Sequence, residues 1–312
     1  MDNDQRLLRK LEQEMGPAIL DALADPACIE ILLNPDGRLW VERFGEPMQV
    51  AGSMTGVNAL AMMGTIADAL GTVINRNTPI LEGELPGTGS RFEGLMPPVV
   101  AGPTFTIRKK ASRVFTLADY VRQGVMTERQ QGVLEQAITD RSNMLVVGGT
   151  GSGKTTLTNA VIAGIVGRYP DDRLVIIEDT AEIQCAADNA VLLRASLDVS
   201  MQQLLKATMR LRPDRILVGE VRGGEALALL KAWNTGHPGG VATLHANDAR
   251  AGLVRLEQLV SEAGVVQGVP ALIGAAVNLV VVIARTPGGR KITELLAVHG
   301  YVDGRYVVNS VE

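Results

Sequence analysis

Residues 148–155 read Gly-Gly-Thr-Gly-Ser-Gly-Lys-Thr, and few eight-residue segments constrain a fold so strongly. The segment fits GxxxxGK[ST]. An apolar run, MLVV at 144–147, precedes it, and a helical pattern opens at Lys154. Strand, glycine loop and helix in that order are the context such a motif requires. Glycines let backbone wrap phosphate oxygens, and the N–H groups at a helix start point at an anion. The expected nucleotide contacts are Gly149, Thr150, Gly151, Ser152, Gly153, Lys154, Thr155 and Thr156. Lys154 would neutralise the β- and γ-phosphates, and the Thr155 hydroxyl would meet Mg²⁺.

Strands and helices alternate from there on. Strands are expected at 143–147, 173–178, 215–218 and 241–244, with helices at 154–166, 201–211, 223–234 and 248–262. That alternation predicts an α/β domain, a doubly wound and mostly parallel sheet covered on both faces. Thr116 with Asp119 and Thr127 with Gln130 have capping-box spacing and mark two further helix starts. At the end, Asp303-Gly304 between β-rich runs predicts a hairpin.

The first hundred residues differ. Leucines 7, 8 and 11 suit an amphipathic helix over 4–15, and a second helix is expected at 55–70. Strands are expected at 30–33, 38–43, 90–95 and 104–109. This is a smaller α+β domain, placed at 1–110. The basic, aperiodic stretch at 111–117 reads as a linker, and the P-loop domain fills 118–312.

A phosphate loop leaves the reaction open until carboxylates are found at neighbouring strand ends. In open parallel sheets, ligands bind beyond the carboxyl ends of the strands. Two strands end there in acids: LVIIED in Glu178 and Asp179, and RILVGE in Glu220. Glu178 and Glu220 are the candidates for holding Mg²⁺ with Thr155 and for orienting water. Asp179 and Glu182 fit a solvated turn equally well. Two of the three histidines, His237 and His245, flank the strand in TGHPGGVATLHAN. A histidine at a strand end can reach a phosphate or a catalytic carboxylate. His299 falls in the last hairpin. Trp40 and Trp233 read as packing residues.

Composition narrows the partners. Thirty basic and thirty-four acidic residues give −4, which argues against a chain that grips nucleic acid tightly. Aromatics are 3%, too few for a base-stacking stripe. The two cysteines, Cys28 and Cys185, cannot build a four-cysteine zinc site. The opening MDNDQRLLRKLEQEMG is too charged for a signal peptide. Residues 48–67 and 265–284 lack charge, but Gly, Pro, Asn and Gln interrupt them; the latter reads as a buried helix followed by a buried strand, VNLVVVIA, so no integral membrane segment is expected.

Taken together, the P-loop, VIIEDTAEIQ at 175–184, MRLRPDRILVGEVRGGEA at 209–226 and TGHPGGVATLHAND at 235–248 resemble one family. They look like the boxes of the traffic ATPases of type IV secretion and conjugation, within the secretion and pilus ATPase superfamily. EILLNPDGRLWVER in the first half resembles the TrbB-like conjugal transfer ATPases in particular. The resemblance implies a RecA-like ATPase acting on ATP and Mg²⁺. It also implies a homohexamer with nucleotide bound between the domains near a subunit boundary.

By the same resemblance Glu220 orients or activates water, Glu178 helps hold Mg²⁺, and His245, with His237 less firmly, couples the γ-phosphate to movement. Arg91 and Arg108 match phosphate-reaching arginines of the N-terminal domain, with Lys109, Lys110 and Arg113 nearby. Arg210 and Arg222 are weaker matches. The implied partners are inner-membrane components of a secretion or conjugation apparatus, with the protein cytoplasmic and peripheral to that membrane. The family's type II branch generally carries a four-cysteine module that is missing here. Three alternatives stay open at this point: a pilus extension or retraction motor, a DNA translocase, and a nucleotide-binding regulator without turnover.

Overall fold

The computed structural model describes residues 2–43, 46–110, 114–196 and 198–311. Two compact units divide at 112/113. Residues 111–113 of the expected linker, Arg113 among them, lie outside the described residues.

The N-terminal unit opens with α1 (Asp2–Ala24), longer than the leucine pattern predicts. The helix is broken at Gly16 (φ 70°), and Pro17 starts the second segment. Only glycine adopts that conformation without strain, and proline is pre-set for a first helical turn. Then follow β1 (Cys28–Leu33), β2 (Arg38–Arg43), β3 (Gln49–Ser53), α2 (Gly56–Ala69), β4 (Ile80–Glu84), β5 (Arg91–Leu95) and β6 (Thr104–Arg108). The strands form an antiparallel sheet in the order β3-β2-β1-β6-β5-β4.

Alternation decides which face is covered. Ile31, Leu33, Leu39, Val41, Phe92, Phe105 and Ile107 are buried with Leu11, Met15 and Ile19 of α1 and Met62, Met63 and Ile66 of α2. The other face carries charge. Across one row, Glu30 faces Arg108, Arg108 faces Arg91, and Arg91 faces Glu84.

The second unit begins with α3 (Leu117–Arg122) and α4 (Glu128–Thr139), each started by the capping box its sequence predicts. Next come β7 (Met144–Val147), α5 (Lys154–Arg168), β8 (Leu174–Glu178), β9 (Ala190–Arg194), α6 (Met201–Thr208), β10 (Arg215–Val218) and α7 (Glu225–Trp233). The chain continues through β11 (Val241–Leu244), α8 (Ala249–Ser261), α9 (Val269–Ala276), β12 (Leu279–Thr286), β13 (Gly289–Val302) and β14 (Arg305–Ser310).

The sheet order is β14-β13-β12-β7-β11-β10-β8-β9. From β12 to β9 all neighbours are parallel; β13 and β14 add antiparallel strands. Alternate residues of β7 feed two cores. Leu145 and Val147 pack with α7, α8 and α9, while Met144 and Val146 pack with α4 and α5. Asp303 (φ 51°) and Gly304 (φ 77°) form the tight turn between β13 and β14 that Asp-Gly predicts.

Three strands, β3, β4 and β9, are absent from the sequence expectation. All three are sheet edges. An edge strand has one partner and needs little apolar alternation, and QVAGS and ILEGE also carry glycine.

Candidate active site

The chemistry gathers at the carboxyl ends of β7, β8, β10 and β11. Gly148 leaves β7 where no side chain fits, since a Cβ would lie 2.2 Å from the Ile283 carbonyl oxygen. Gly151 and Gly153 take positive φ, and α5 then starts at Lys154. The first N–H groups of a helix have no intrahelical acceptor, so this turn is a donor array.

Lys154 is 8% exposed despite its charge. Its Nζ donates to the carbonyl oxygens of Gly148 (3.0 Å) and Gly149 (3.1 Å). It also lies 3.3 Å from Nδ1 of His245. An ammonium can only donate, so this contact suits the tautomer whose Nδ1 carries the lone pair. The other ring nitrogen, Nε2, then faces Glu220 Oε1 at 2.9 Å. Lys154, His245 and Glu220 therefore form one chain of contacts from the loop to the end of β10.

Glu220 is held from its other oxygen as well. Arg222 Nη2 donates to Oε2 at 2.8 Å, and Arg222 Nη1 reaches Asp179. Burial alone would raise the Glu220 pKa, but the Arg222 hydrogen bond and the charges of Arg222 and Lys154 outweigh it. The net shift is downward, so Glu220 is ionised at neutral pH.

Glu178 is more deeply buried, at 4% exposure. Its Oε1 accepts from the backbone N–H groups of Glu182 (2.9 Å) and Ile183 (2.7 Å). Burial raises its pKa, and these two bonds offset the rise only in part. Glu178 thus folds the 179–183 turn back over the end of β8. Gly219 makes room for it, because a Cβ there would lie 3.1 Å from Glu178 Cγ.

The folded turn presents Glu182 to the P-loop. Glu182 Oε2 accepts from the Thr155 hydroxyl at 3.0 Å. Asn159, one turn further along α5, donates to the Glu182 carbonyl oxygen (3.2 Å) and accepts from Gln184 N–H (3.0 Å). Sequence reading left Glu182 undecided, because no spacing rule places it against Thr155. Thr155 and Glu182 supply hard oxygen donors, the chemistry Mg²⁺ selects. Among the described residues no group of three or more His, Cys, Asp or Glu could hold a metal ion. A magnesium ion here would complete its shell with phosphate oxygens and water.

The two candidate histidines separate. His245 is at the site, whereas His237 precedes β11 and its Nδ1 meets the Pro213 carbonyl oxygen at 2.9 Å, at the opposite end of the sheet. The glycines beside His237 serve packing. A Cβ on Gly239 would lie 2.2 Å from Arg215 Nη1, and one on Gly240 2.1 Å from Trp233 Nε1. Arg210 is exposed in the turn after α6. Arg91 and Arg108 belong to the N-terminal unit, opposite each other across β5 and β6, and Arg108 Nε lies 3.7 Å from Glu30.

The model of the type II/IV secretion system protein family matches residues 13–290, so the chain belongs to that family. Within it the chain is similar to conjugal transfer proteins. A probable conjugal transfer protein TrbB of Sinorhizobium fredii is 57% identical over 305 residues, spanning 98% of this chain and 94% of that one. The conjugal transfer protein TrbB of Rhizobium radiobacter is 56% identical over 301 residues, spanning 96% and 93%. Among solved structures, the VirB11 ATPase of the Brucella suis type IV secretion system, crystallised with sulphate, superposes with a TM-score of 0.50 at 25% identity, covering 95% of this chain and 96% of that one. Among the described residues no helix is long and apolar enough to cross a membrane.

Proposed function

We propose that this chain is a Mg²⁺-dependent ATPase that drives assembly of, or substrate transfer through, a type IV secretion or conjugation channel. The observation that carries the reading is the contact chain Lys154–His245–Glu220. It links the residue that would bind the terminal phosphates to the carboxylate that would orient water. In this reading the P-loop residues 149–156 hold the triphosphate. Thr155, with Glu182 and the Glu178-folded turn, holds Mg²⁺, which would neutralise phosphate charge. Ionised Glu220 positions the attacking water and accepts its proton, directly or through His245. His245, bridging Lys154 and Glu220, registers whether a γ-phosphate is present.

Arg91 and Arg108 are assigned to the phosphates from the N-terminal domain, stabilising charge as it builds. Residues 111–117 are taken as the linker between an N-terminal domain (1–110) and a doubly wound, RecA-like ATPase domain (118–312). The working form is a homohexamer, cytoplasmic and held at the inner membrane by components of the apparatus. Support comes from the family, the near-full-length likeness to TrbB proteins and the geometry around Lys154.

The test is phosphate release together with mass in solution, with and without Mg²⁺–ATP, for the wild type and Lys154→Ala. Six-subunit particles whose turnover falls on the order of a thousandfold in the variant are expected. A monomer with undiminished turnover in Lys154→Ala would overturn the assignment.

A further inference from the structure

The antiparallel strand β13 touches the site at two points, and neither belongs to a motif. Near its start, Arg290 lays its guanidinium against the P-loop. Nε and Nη2 both donate to the Gly151 carbonyl oxygen, each at 3.2 Å. The stem of the same side chain covers Gly153, where a Cβ would meet Arg290 Cδ at 3.1 Å. Farther along, Glu294 accepts from the Ala249 N–H at 3.0 Å. Ala249 is the first residue of α8, just beyond His245.

Residues 290 and 294 would share a face in a regular strand. Here they do not. Ile283 of β12 faces Ile292, but Val282 faces Glu294, which leaves Thr293 as an extra residue in β13. Ile292 packs in the core shared with α5, whereas Leu296, on the side of Glu294, packs in the core shared with α8. The bulge therefore delivers Arg290 to the P-loop side of the sheet and Glu294 to the α8 side.

The physical effect of the Arg290 contact follows from the peptide plane. In a trans peptide the carbonyl and the next N–H point in opposite directions. Gly151 sits at φ 69° and has no side chain to restrict its neighbouring peptide. A two-donor fork on its carbonyl fixes that peptide, and with it the direction of the Ser152 N–H, which closes on Gly149 at 3.3 Å. Lys154 holds the Gly148 and Gly149 carbonyls in the same way. Two cations from two elements thus fix three of the loop's carbonyls, Gly148 and Gly149 by Lys154 and Gly151 by Arg290.

We propose that Arg290 is a positioning residue for phosphate binding, and that bulged β13 ties the P-loop to the helix that follows His245. The proposal rests on the ATPase reading and adds to it a residue outside all four boxes.

The experiment measures binding of ADP and ATP with Mg²⁺ to the full chain, melting temperature with and without nucleotide, and KM and kcat. Arg290→Ala is expected to weaken nucleotide binding about tenfold, as for one lost charge-assisted hydrogen bond. KM should rise more than kcat falls. The melting temperature without nucleotide should stay at the wild-type value while the nucleotide-induced rise shrinks, which a merely structural role would not produce. Arg290→Lys, with a point charge and no fork, should recover only part of the loss. Glu294→Gln should lower kcat more than it changes nucleotide affinity.

Wild-type affinity in Arg290→Ala, with turnover abolished in Lys154→Ala, would overturn the proposal and leave the ATPase reading standing. Turnover retained in Lys154→Ala would instead remove the ATPase reading itself. Should Arg290→Ala not fold, Arg290→Gln carries the same expectation, and wild-type affinity there is equally decisive.

Discussion

Strand β10 carries charge at both ends, and the two ends are built on opposite principles. At its start, Arg215 is completely buried. Its Nε donates to Asp172 (2.7 Å), its Nη1 donates to the Gly239 carbonyl oxygen (3.1 Å), and its guanidinium lies 4.7 Å from the ring centre of Tyr169. Arg141 covers the same ring at 4.7 Å and also donates to Asp172. These partners all belong to the protein itself.

Just past the other end, Glu220 is partly exposed, and its partners are His245, Arg222 and, through His245, Lys154. Those partners are themselves groups that can rearrange around a ligand. What separates the two clusters is whether the partners can be exchanged for something from solution.

The sharpest way to break the contrast is at the sealed end. Arg215→Ala should cost about 3 kcal/mol in denaturant unfolding, because it empties a fully buried site and removes the ion pair to Asp172, the hydrogen bond to Gly239 and the packing on Tyr169. The KM for ATP of the molecules that remain folded should be unchanged. A large change in KM with full stability would mean that the sealed end takes part in nucleotide binding after all. At the open end the expected pattern is reversed. Glu220→Gln should lower kcat about a hundredfold. Binding and unfolding stability should stay close to wild type; a variant that unfolds easily would make Glu220 a structural charge.

The smallest effect concerns acid. Burial holds the folded-state pKa of Glu178 above its ordinary value of 4.5, despite bonds from Ile183 and Glu182. Between that raised value and 4.5 the folded state binds more protons than the unfolded one. Glu178 therefore favours folding as pH falls through this window and levels off below it. Asp172 goes the other way. Burial would raise its pKa, but the hydrogen bonds from Arg215 and Arg141 overcome it, so its contribution is lost as pH falls through a depressed value. Unfolding free energies from pH 7 down to pH 4.5 should show the wild type gaining on Glu178→Gln as acid is added. Parallel curves would place the Glu178 carboxyl in a more solvated setting.

Sequence displayed the P-loop, both capping boxes and the Asp303-Gly304 turn because each is fixed by neighbours in the chain. Glu220 and His245 were legible for a related reason: they end apolar runs, and such runs place their ends on one edge of a parallel sheet. Glu182 was harder. Its meeting with Thr155 depends on Glu178 bending the turn, a contact invisible in spacing. Arg290 was beyond reach, because PGGRK reads as a hairpin and nothing local says that the hairpin lies over Gly151. His237 looked like His245 until topology put them at opposite ends of β11. The extra length of α1 follows from Gly16-Pro17, which reads as a stop but serves as a joint.

The place of β7 in its sheet has a consequence for how the protein is made. The strand that carries the P-loop lies between β11 and β12, and Met144 pairs with Val241 on one side and Leu279 on the other. Both neighbours leave the ribosome long after the loop itself. Pairings so distant along the chain form slowly. A nascent chain that has already emitted the glycine loop and its lysine still lacks both walls of the strand beneath them. Competence to bind nucleotide is thus a late event in synthesis, and a ribosome that stalls before β12 leaves a chain bearing the motif with an open, apolar seam where its site should be.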